Sequence, residues 1–313
     1  MIDINELKRK IAAASKNKID YVNNKYVSYS AFSAYETCPH SWKLLYVDKA
    51  IKRPQTIHTI FGTSIHNTIQ HYLHTMYEES GVKADLINLE EYFQQEFIKL
   101  YTEAFNKSGT HFSSAVEMRS FYEEGSDILK YLKKNRKKYF SLQNEVLLGI
   151  EVPLVLTPLK THYGVKLAAY LDVVLFDTVT NTVKIRDIKT SGYSWGKNQK
   201  SDPIKLAQVL LYKRYFSELF QISMDNIEVD FLIVKRKLYE KADFKQSRIQ
   251  EFSPAQGKNK MTKTSTMFED FIKACYHEDG TLKTEATFKK NVSDKSCKWC
   301  IFKDIASLCD KKN

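Results

Sequence analysis

Glycine and proline are scarce, 10 and 6 among 313 residues. No stretch reads as a flexible or proline-rich linker, and neither an internal repeat nor a low-complexity tract is visible. No apolar run reaches the 18 or more residues that a membrane-spanning helix needs. The first ten residues, MIDINELKRK, contain acidic side chains and no apolar core, unlike a secretory signal. These absences lead to the expectation of a soluble cytoplasmic protein with no membrane partner. In that compartment five cysteines are unlikely candidates for disulfides, because thiols are kept reduced. Their spacing is uneven, with Cys38 near one end and Cys275, Cys297, Cys300 and Cys309 near the other, a pattern of metal ligation or buried thiols.

What is present is a foldable, basic chain. Hydrophobic residues make up 43% and aromatic residues 13%, enough to build a core and to argue against disorder. Lysine and arginine total 48 against 37 aspartate and glutamate, a formal charge of +11 that favours a polyanionic partner. Residues 28–47 read as a short helix broken at Cys38-Pro39 and followed by an amphipathic stretch. Residues 62–79 read as a helix with an Ile65, Ile69, Leu73 and Met76 stripe. The lysine-rich region 88–143 has a helical pattern. The period then changes: 150–157, 166–176 and 182–188 are short β-branched runs, the last two joined by the turn sequence DTVTN. Asp202 and Pro203 open a strong helix over 203–220, 227–235 reads as a strand, and 241–313 reads as a polar tail holding the cysteines. Alternation of this kind predicts an α/β fold, one mixed central sheet flanked by helices.

Chemistry concentrates on two neighbouring strands. Asp172 lies on one, and Asp187-Ile188-Lys189 ends the next. Two carboxylates on adjacent strands of a hairpin can share a divalent cation such as Mg²⁺, which takes hard oxygen ligands. Such a cation polarises a phosphodiester and acidifies bound water. Lys189, two residues beyond Asp187, points to the same face of the strand and can hold or help deprotonate the attacking water. An acidic-x-Lys triplet is common by itself. It occurs at Glu6-Leu7-Lys8, Asp243-Phe244-Lys245 and Asp310-Lys311-Lys312 as well, where a solvated charge pair is the ordinary reading. Only the 187–189 copy ends an apolar strand, follows a strand bearing Asp, and precedes a suitable helix. On that helix Gln208 and Tyr212 share a face, and His66 stands four residues after Gly62 on an earlier one. A His or a Gln–Tyr pair alone is more often structural than functional.

The order Gly62-x-x-x-His66, Asp172, Asp187-x-Lys189, Gln208-x-x-x-Tyr212 resembles the PD-(D/E)XK nuclease superfamily, in particular RecB/AddB-like, CRISPR-associated adaptation and exonuclease V nucleases. The resemblance runs from about residue 28 to the C-terminal end and leaves 80–145 without a motif. It departs at Ala169-Tyr170-Leu171-Asp172, where the family has Gly first. It implies a restriction-endonuclease-like core with His66, Asp172, Asp187 and the Ile188 carbonyl holding Mg²⁺ or Mn²⁺, and Lys189 serving the water. Gln208 and Tyr212 would order the site and contact DNA, and Glu151 stands where such enzymes often carry an acid. Four thiolates from Cys38, Cys297, Cys300 and Cys309 suit either Zn²⁺ or a [4Fe–4S] cluster. The split of one early and three late cysteines resembles the iron–sulfur members and favours iron, although the interval after Cys300 is longer than theirs. Cys275 fits no ligand position and reads as a buried or free thiol.

The expected organisation is an N-terminal helical part (1–79) supplying Cys38 and His66, a helical insertion (80–145), the nuclease core (146–240) and a C-terminal iron–sulfur staple (241–313). DNA contacts are expected from Tyr193, Trp195, Lys235 and Arg236, from the basic run 130–138 and from Trp299. The implied activity is a metal-dependent DNA exonuclease acting on single strands or free ends, with a helicase or recombination partner. A non-catalytic DNA-binding subunit of a helicase complex is the alternative. A zinc-ribbon protein would explain the cysteines and leave 150–212 unexplained.

Overall fold

The computed structural model describes residues 2–16, 26–156, 164–241 and 243–310. Thr157, at the end of one expected strand, and Lys311 and Lys312 of the last acidic-x-Lys triplet lie outside them. In chain order the first elements are α1 (Ile4–Ser15), β1 (Tyr26–Val27), α2 (Tyr29–Thr37) and α3 (Pro39–Trp42), the last running into a π-helical turn over Lys43–Val47. Then come α4 (Ile57–Glu78), α5 (Gly81–Leu86), α6 (Leu89–Ser108) and α7 (Ala115–Tyr139). The strands β2 (Glu145–Leu156), β3 (Lys166–Asp177) and β4 (Thr182–Ser191) follow, then α8 (Lys197–Ser201), α9 (Pro203–Phe220) and β5 (Ile227–Lys235). The chain closes with β6 (Ile249–Phe252), α10 (Lys258–Cys275) and α11 (Asp294–Cys297). None of the described helices is long and apolar enough to cross a membrane.

The sheet is mixed, as expected. β2–β3, β3–β4 and β5–β6 are antiparallel, and β4–β5 is parallel with α9 as its crossover. β1 lies parallel to the start of β3. One apolar cluster joins a sheet face to α1, α2, α9 and α10, and a second joins the other face to α4, α6 and α7. The sheet is therefore the middle of three layers. The stripe Ile65, Ile69, Leu73 and Met76 is at most 1% exposed. At roughly 1.5–3 kcal/mol per buried side chain, that burial outweighs the modest helix propensity of a β-branched sequence. Gly125 lets α7 close on α6, since a Cβ there would sit 2.4 Å from the Phe93 ring.

Two expectations need correction. Helix α4 starts at Ile57 rather than Gly62, because Thr56 and Thr59 form a reciprocal cap. The tail is not simply polar: β6 completes the sheet, and α10 buries Phe268, Phe271 and Ile272 among the rings of Phe32 and Trp42. Lysines on its outer face lower the average hydrophobicity without breaking the helical period.

Charge ties neighbouring strands together. Arg186 on β4 is 7% exposed and forks onto Asp230 of β5 at 2.7–3.2 Å, reaches Glu251 of β6 at 2.9 Å, and donates to the Tyr139 carbonyl at 2.8 Å. At the β3–β4 turn Asp177 accepts from Val179 and Thr180 N–H at 2.9 and 3.0 Å and from Lys184 Nζ at 2.7 Å, while Asn181 takes the left-handed conformation at φ 57°. Burial raises the Asp177 pKa, but Lys184 and the two N–H groups outweigh it and bring it to about 2. A depressed carboxylate stabilises the fold above its unfolded pKa, and that contribution is lost as pH falls through the folded value. Asp177→Asn keeps the turn acceptors and removes the charge. It is expected to cost about 1 kcal/mol at neutral pH in denaturant titrations. The gap to the wild type should close between about pH 4 and pH 2; a gap that persisted at pH 2 would refute the assignment.

Candidate active site

The β3–β4 ladder runs from Asp177↔Thr182 to Val173↔Arg186 and stops there. One step further in the same register, Asp172 and Asp187 stand side by side. Ile188 N–H donates to Asp172 Oδ2 at 2.7 Å, a carboxylate taking the place of a strand partner. On its other edge β3 continues to pair with β2 as far as Leu156↔Leu167. β3 and β4 therefore part at the two carboxylates.

Asp187 is 2% exposed. Its Oδ2 lies 2.8 Å from Lys189 Nζ as an ion pair, yet accepts no hydrogen bond of acceptable geometry. Burial raises Asp172 to about 7 against the pull of Lys189 and of the Ile188 N–H, with Glu151 adding to the rise. Burial also raises Asp187, to about 6, against Lys189 and with Asp172 adding to the rise. Burial works against the Lys189 ammonium, but the two aspartates hold its pKa above the ordinary value. His66 Nδ1 is 3.6 Å from Asp172 Oδ2, and its pKa is lowered by burial and then by Lys189, which favours a neutral ring.

The helices that supply the remaining groups are tightly seated. A Cβ on Gly62 would meet Thr190 Oγ1 of β4 at 3.3 Å, so a residue without a side chain lets α4 lie close enough for His66 to reach Asp172. On α9, Gln208 Nε2 donates to the Tyr212 hydroxyl at 2.8 Å. Burial raises the Tyr212 pKa well above its usual value, and the charges of Asp187 and Asp172 add to the rise. His66, Asp172, Asp187, Lys189, Gln208 and Tyr212, distant in sequence, are thus brought to one place.

Gln70 was not legible as part of this site. One turn after His66 on α4 and 6% exposed, it donates to Glu151 Oε1 at 2.5 Å and to the Asp172 carbonyl at 3.2 Å. Glu151 lies opposite Asp172 in the β2–β3 register and has φ 48°, a conformation that costs energy for a residue with a side chain. The i, i+4 spacing from His66 was the one available hint.

The other expected residues are placed as follows. Tyr193 is 43% exposed and stacks on Tyr239 at 5.0 Å. Trp195 is only 8% exposed, its ring against Phe231 and Phe252, so the core rather than a base occupies it. Lys235 is buried and donates to Ser194 Oγ at 3.2 Å, and Arg236 pairs with Glu124 at 3.0 Å over the Phe121 ring. In the basic run 130–138, Lys130, Lys133 and Arg136 bind Glu90, the Ile87 carbonyl and Asp85, tying α7 to its neighbours.

Cys38, Cys297, Cys300 and Cys309 line one small cavity with Ser41, Leu44 and Phe302. Asn291 N–H points at Cys38 Sγ at 3.4 Å, and Cys300 Sγ lies 3.9 Å from Ser41 Oγ. Cys275 is fully buried in the core, away from them. Among the described residues no group of three or more His, Cys, Asp or Glu side chains stands at metal-holding spacing. The donors at the carboxylate pair nevertheless suit a hard divalent cation, because a buried aspartate oxygen there lacks a hydrogen bond and a neutral imidazole adjoins it.

A mixed sheet between helical layers, with an Asp and an Asp-x-Lys at the point where two strands part, is the arrangement of a nuclease core. The sequence matches the PD-(D/E)XK nuclease superfamily over residues 26–306, and the chain belongs to that family. Members are generally nucleases that act on DNA and usually use divalent metal ions. No curated protein matches the chain significantly.

Gln70→Leu removes both bridging hydrogen bonds and takes the side-chain donor from the Asp172 carbonyl, while the exposed Glu151 carboxylate turns to water. Denaturant titration is expected to show a loss of roughly 1–3 kcal/mol. An unchanged midpoint would mean that the bridge holds nothing.

Proposed function

We propose that the protein is a metal-dependent DNA exonuclease of the RecB/AddB-like type, acting on single strands or free ends. The observation that carries this reading is Asp172 and the buried Asp187 side by side where β3 and β4 part, with the Lys189 ammonium on Asp187 and His66 against Asp172. His66, Asp172, Asp187 and the Ile188 carbonyl would hold Mg²⁺ or Mn²⁺, which supplies Lewis-acid charge to the phosphodiester and acidifies a bound water. Lys189, kept cationic by the aspartates, offsets negative charge that builds on the phosphate in the transition state. Gln208 fixes the Tyr212 hydroxyl, which would orient the scissile strand. Tyr193, exposed four residues beyond Lys189 and stacked on Tyr239, supports a base contact beside the site.

The four cysteines around one cavity support a [4Fe–4S] cluster acting as a staple between residue 38 and residues 297–309. Closing so long a loop makes stability its first role, with no redox step in the hydrolysis. The reading places the enzyme in the cytoplasm, where thiols stay reduced, and a helicase or recombination enzyme that generates single strands is the partner class it implies.

Anaerobically purified protein is expected to degrade linear but not circular single-stranded DNA with Mg²⁺ or Mn²⁺, and Lys189→Ala to lose at least about 100-fold in rate, the scale of one electrostatic contact to the transition state. Cleavage of circles would change the reading to an endonuclease. Binding without cleavage under any metal would make the chain a non-catalytic subunit. Cys300→Ala is expected to lose the iron chromophore and to lower the thermal midpoint; a variant without iron that kept wild-type stability would remove the staple role.

A further inference from the structure

A groove beside α2 adjoins the cysteine cavity and reaches the start of α9, the helix that carries Gln208 and Tyr212. Tyr29 lines it, and its hydroxyl donates to the Ile204 carbonyl at the start of α9 at 2.9 Å. Trp299 lines it as well. Along the groove α2 contributes Ser30, Ser33 and Thr37, spaced three and four residues apart and so on one helix face. Arg53, Thr56 and Thr59 line it from the segment that enters α4. Lys295 also lines it and pairs at 3.1 Å with Asp202, the cap of the helix that carries Gln208 and Tyr212.

The lining has a distinct chemistry. It contains many hydroxyls, the cations Arg53 and Lys295, and no carboxylate. This suits a chain of phosphates, which hydroxyl and guanidinium donors bind without reading sequence. Of the three tryptophans, Trp42 is 0% and Trp195 8% exposed, whereas Trp299 is 84% exposed. It projects from the turn between Cys297 and Cys300, with the Lys298 ammonium 5.4 Å from its ring centre. Cys38, Ser41, Ser296 and Cys300 line both the groove and the cysteine cavity, so the turn that presents this ring is also a wall of that cavity. An indole left in water beside a phosphate-suited groove can stack on an unpaired base, which a closed duplex does not offer.

We propose that this groove is the path of a single DNA strand leading to Asp172 and Asp187, with Ser30, Ser33 and Arg53 contacting phosphates and Trp299 stacking on a base. The proposal rests on the nuclease reading above and adds the route and the strand state of the substrate. It also gives the cysteine-bearing turn a part in holding DNA.

The test is fluorescence anisotropy with a labelled oligothymidine of about 15 nucleotides and a blunt duplex of equal length, measured on the intact protein without divalent metal. Trp299→Ala is expected to weaken single-strand binding about tenfold, Trp299→Phe to restore most of it, and duplex binding to be unaffected by either. Arg53→Ala is expected to reduce the slope of log affinity against log salt by about one. Because the indole is exposed, the thermal midpoint of Trp299→Ala should match the wild type, which separates stacking from a structural role. Unchanged single-strand affinity in Trp299→Ala, with cleavage still abolished by Lys189→Ala, would overturn the groove and leave the nuclease reading standing. Equal losses for duplex and single strand would overturn the strand assignment. A wild-type protein that neither bound nor cut DNA would overturn both readings.

Discussion

β3 and β4 exchange ladder hydrogen bonds only as far as Val173 and Arg186, and the next residue on each strand is an aspartate, Asp187 buried and Asp172 half-buried. The geometry of the centre follows from that interruption. A continued ladder would have tied the Ile188 N–H to a backbone carbonyl, whereas here the Asp172 carboxylate takes it at 2.7 Å. Burial disfavours charge on both carboxylates and raises their pKa values to about 7 and 6, Glu151 adding to the rise at Asp172 and Asp172 adding to it at Asp187. The single ammonium of Lys189 offsets that burial only in part. A site with this surplus of buried negative potential is suited to a divalent cation, and the family to which the chain belongs uses one.

The surrounding structure keeps the opening in place. One residue before Asp187, Arg186 is clamped to β5, to β6 and to the end of α7, so the strand is fixed on one face just before it presents its carboxylate on the other. Breaking such a buried pair is costly because it leaves a charge without a partner. Across the cleft α4 contributes His66 and, one turn on, Gln70, which joins Glu151 to the Asp172 backbone. Stability and site geometry are therefore carried by the same elements. The crowding of α4 on β4 at Gly62 is what brings the imidazole within reach of Asp172.

Much of this was legible in the chain. Short β-branched runs, the helical stripe at Ile65, Ile69, Leu73 and Met76, and the capped helix at Asp202-Pro203 identified the elements from local patterns. The Asp-x-Lys triplet stood out because its strand and helix neighbours were correct. Less legible was anything whose meaning depended on an average. The lysines of α10 concealed a buried face, and the basic run 130–138 spends Lys130, Lys133 and Arg136 on α5, α6 and the segment between them. Trp195 and Trp299 are the same residue type in comparable polar surroundings, yet one packs against Phe231 and the other faces water.

By itself the sequence determined which residues carry charge, which segments have a strand or a helix period, and that one acidic-x-Lys triplet ends an apolar strand. These are local properties, set within a turn of helix or a few residues of strand. Only the tertiary structure decided that β3 and β4 part at Asp172 and Asp187, that Gln70 reaches Glu151, and that four cysteines separated by most of the chain line one cavity. Contacts of that kind come from packing two helical layers on a twisted sheet, and such long-range pairings leave no periodic trace in the residues that make them.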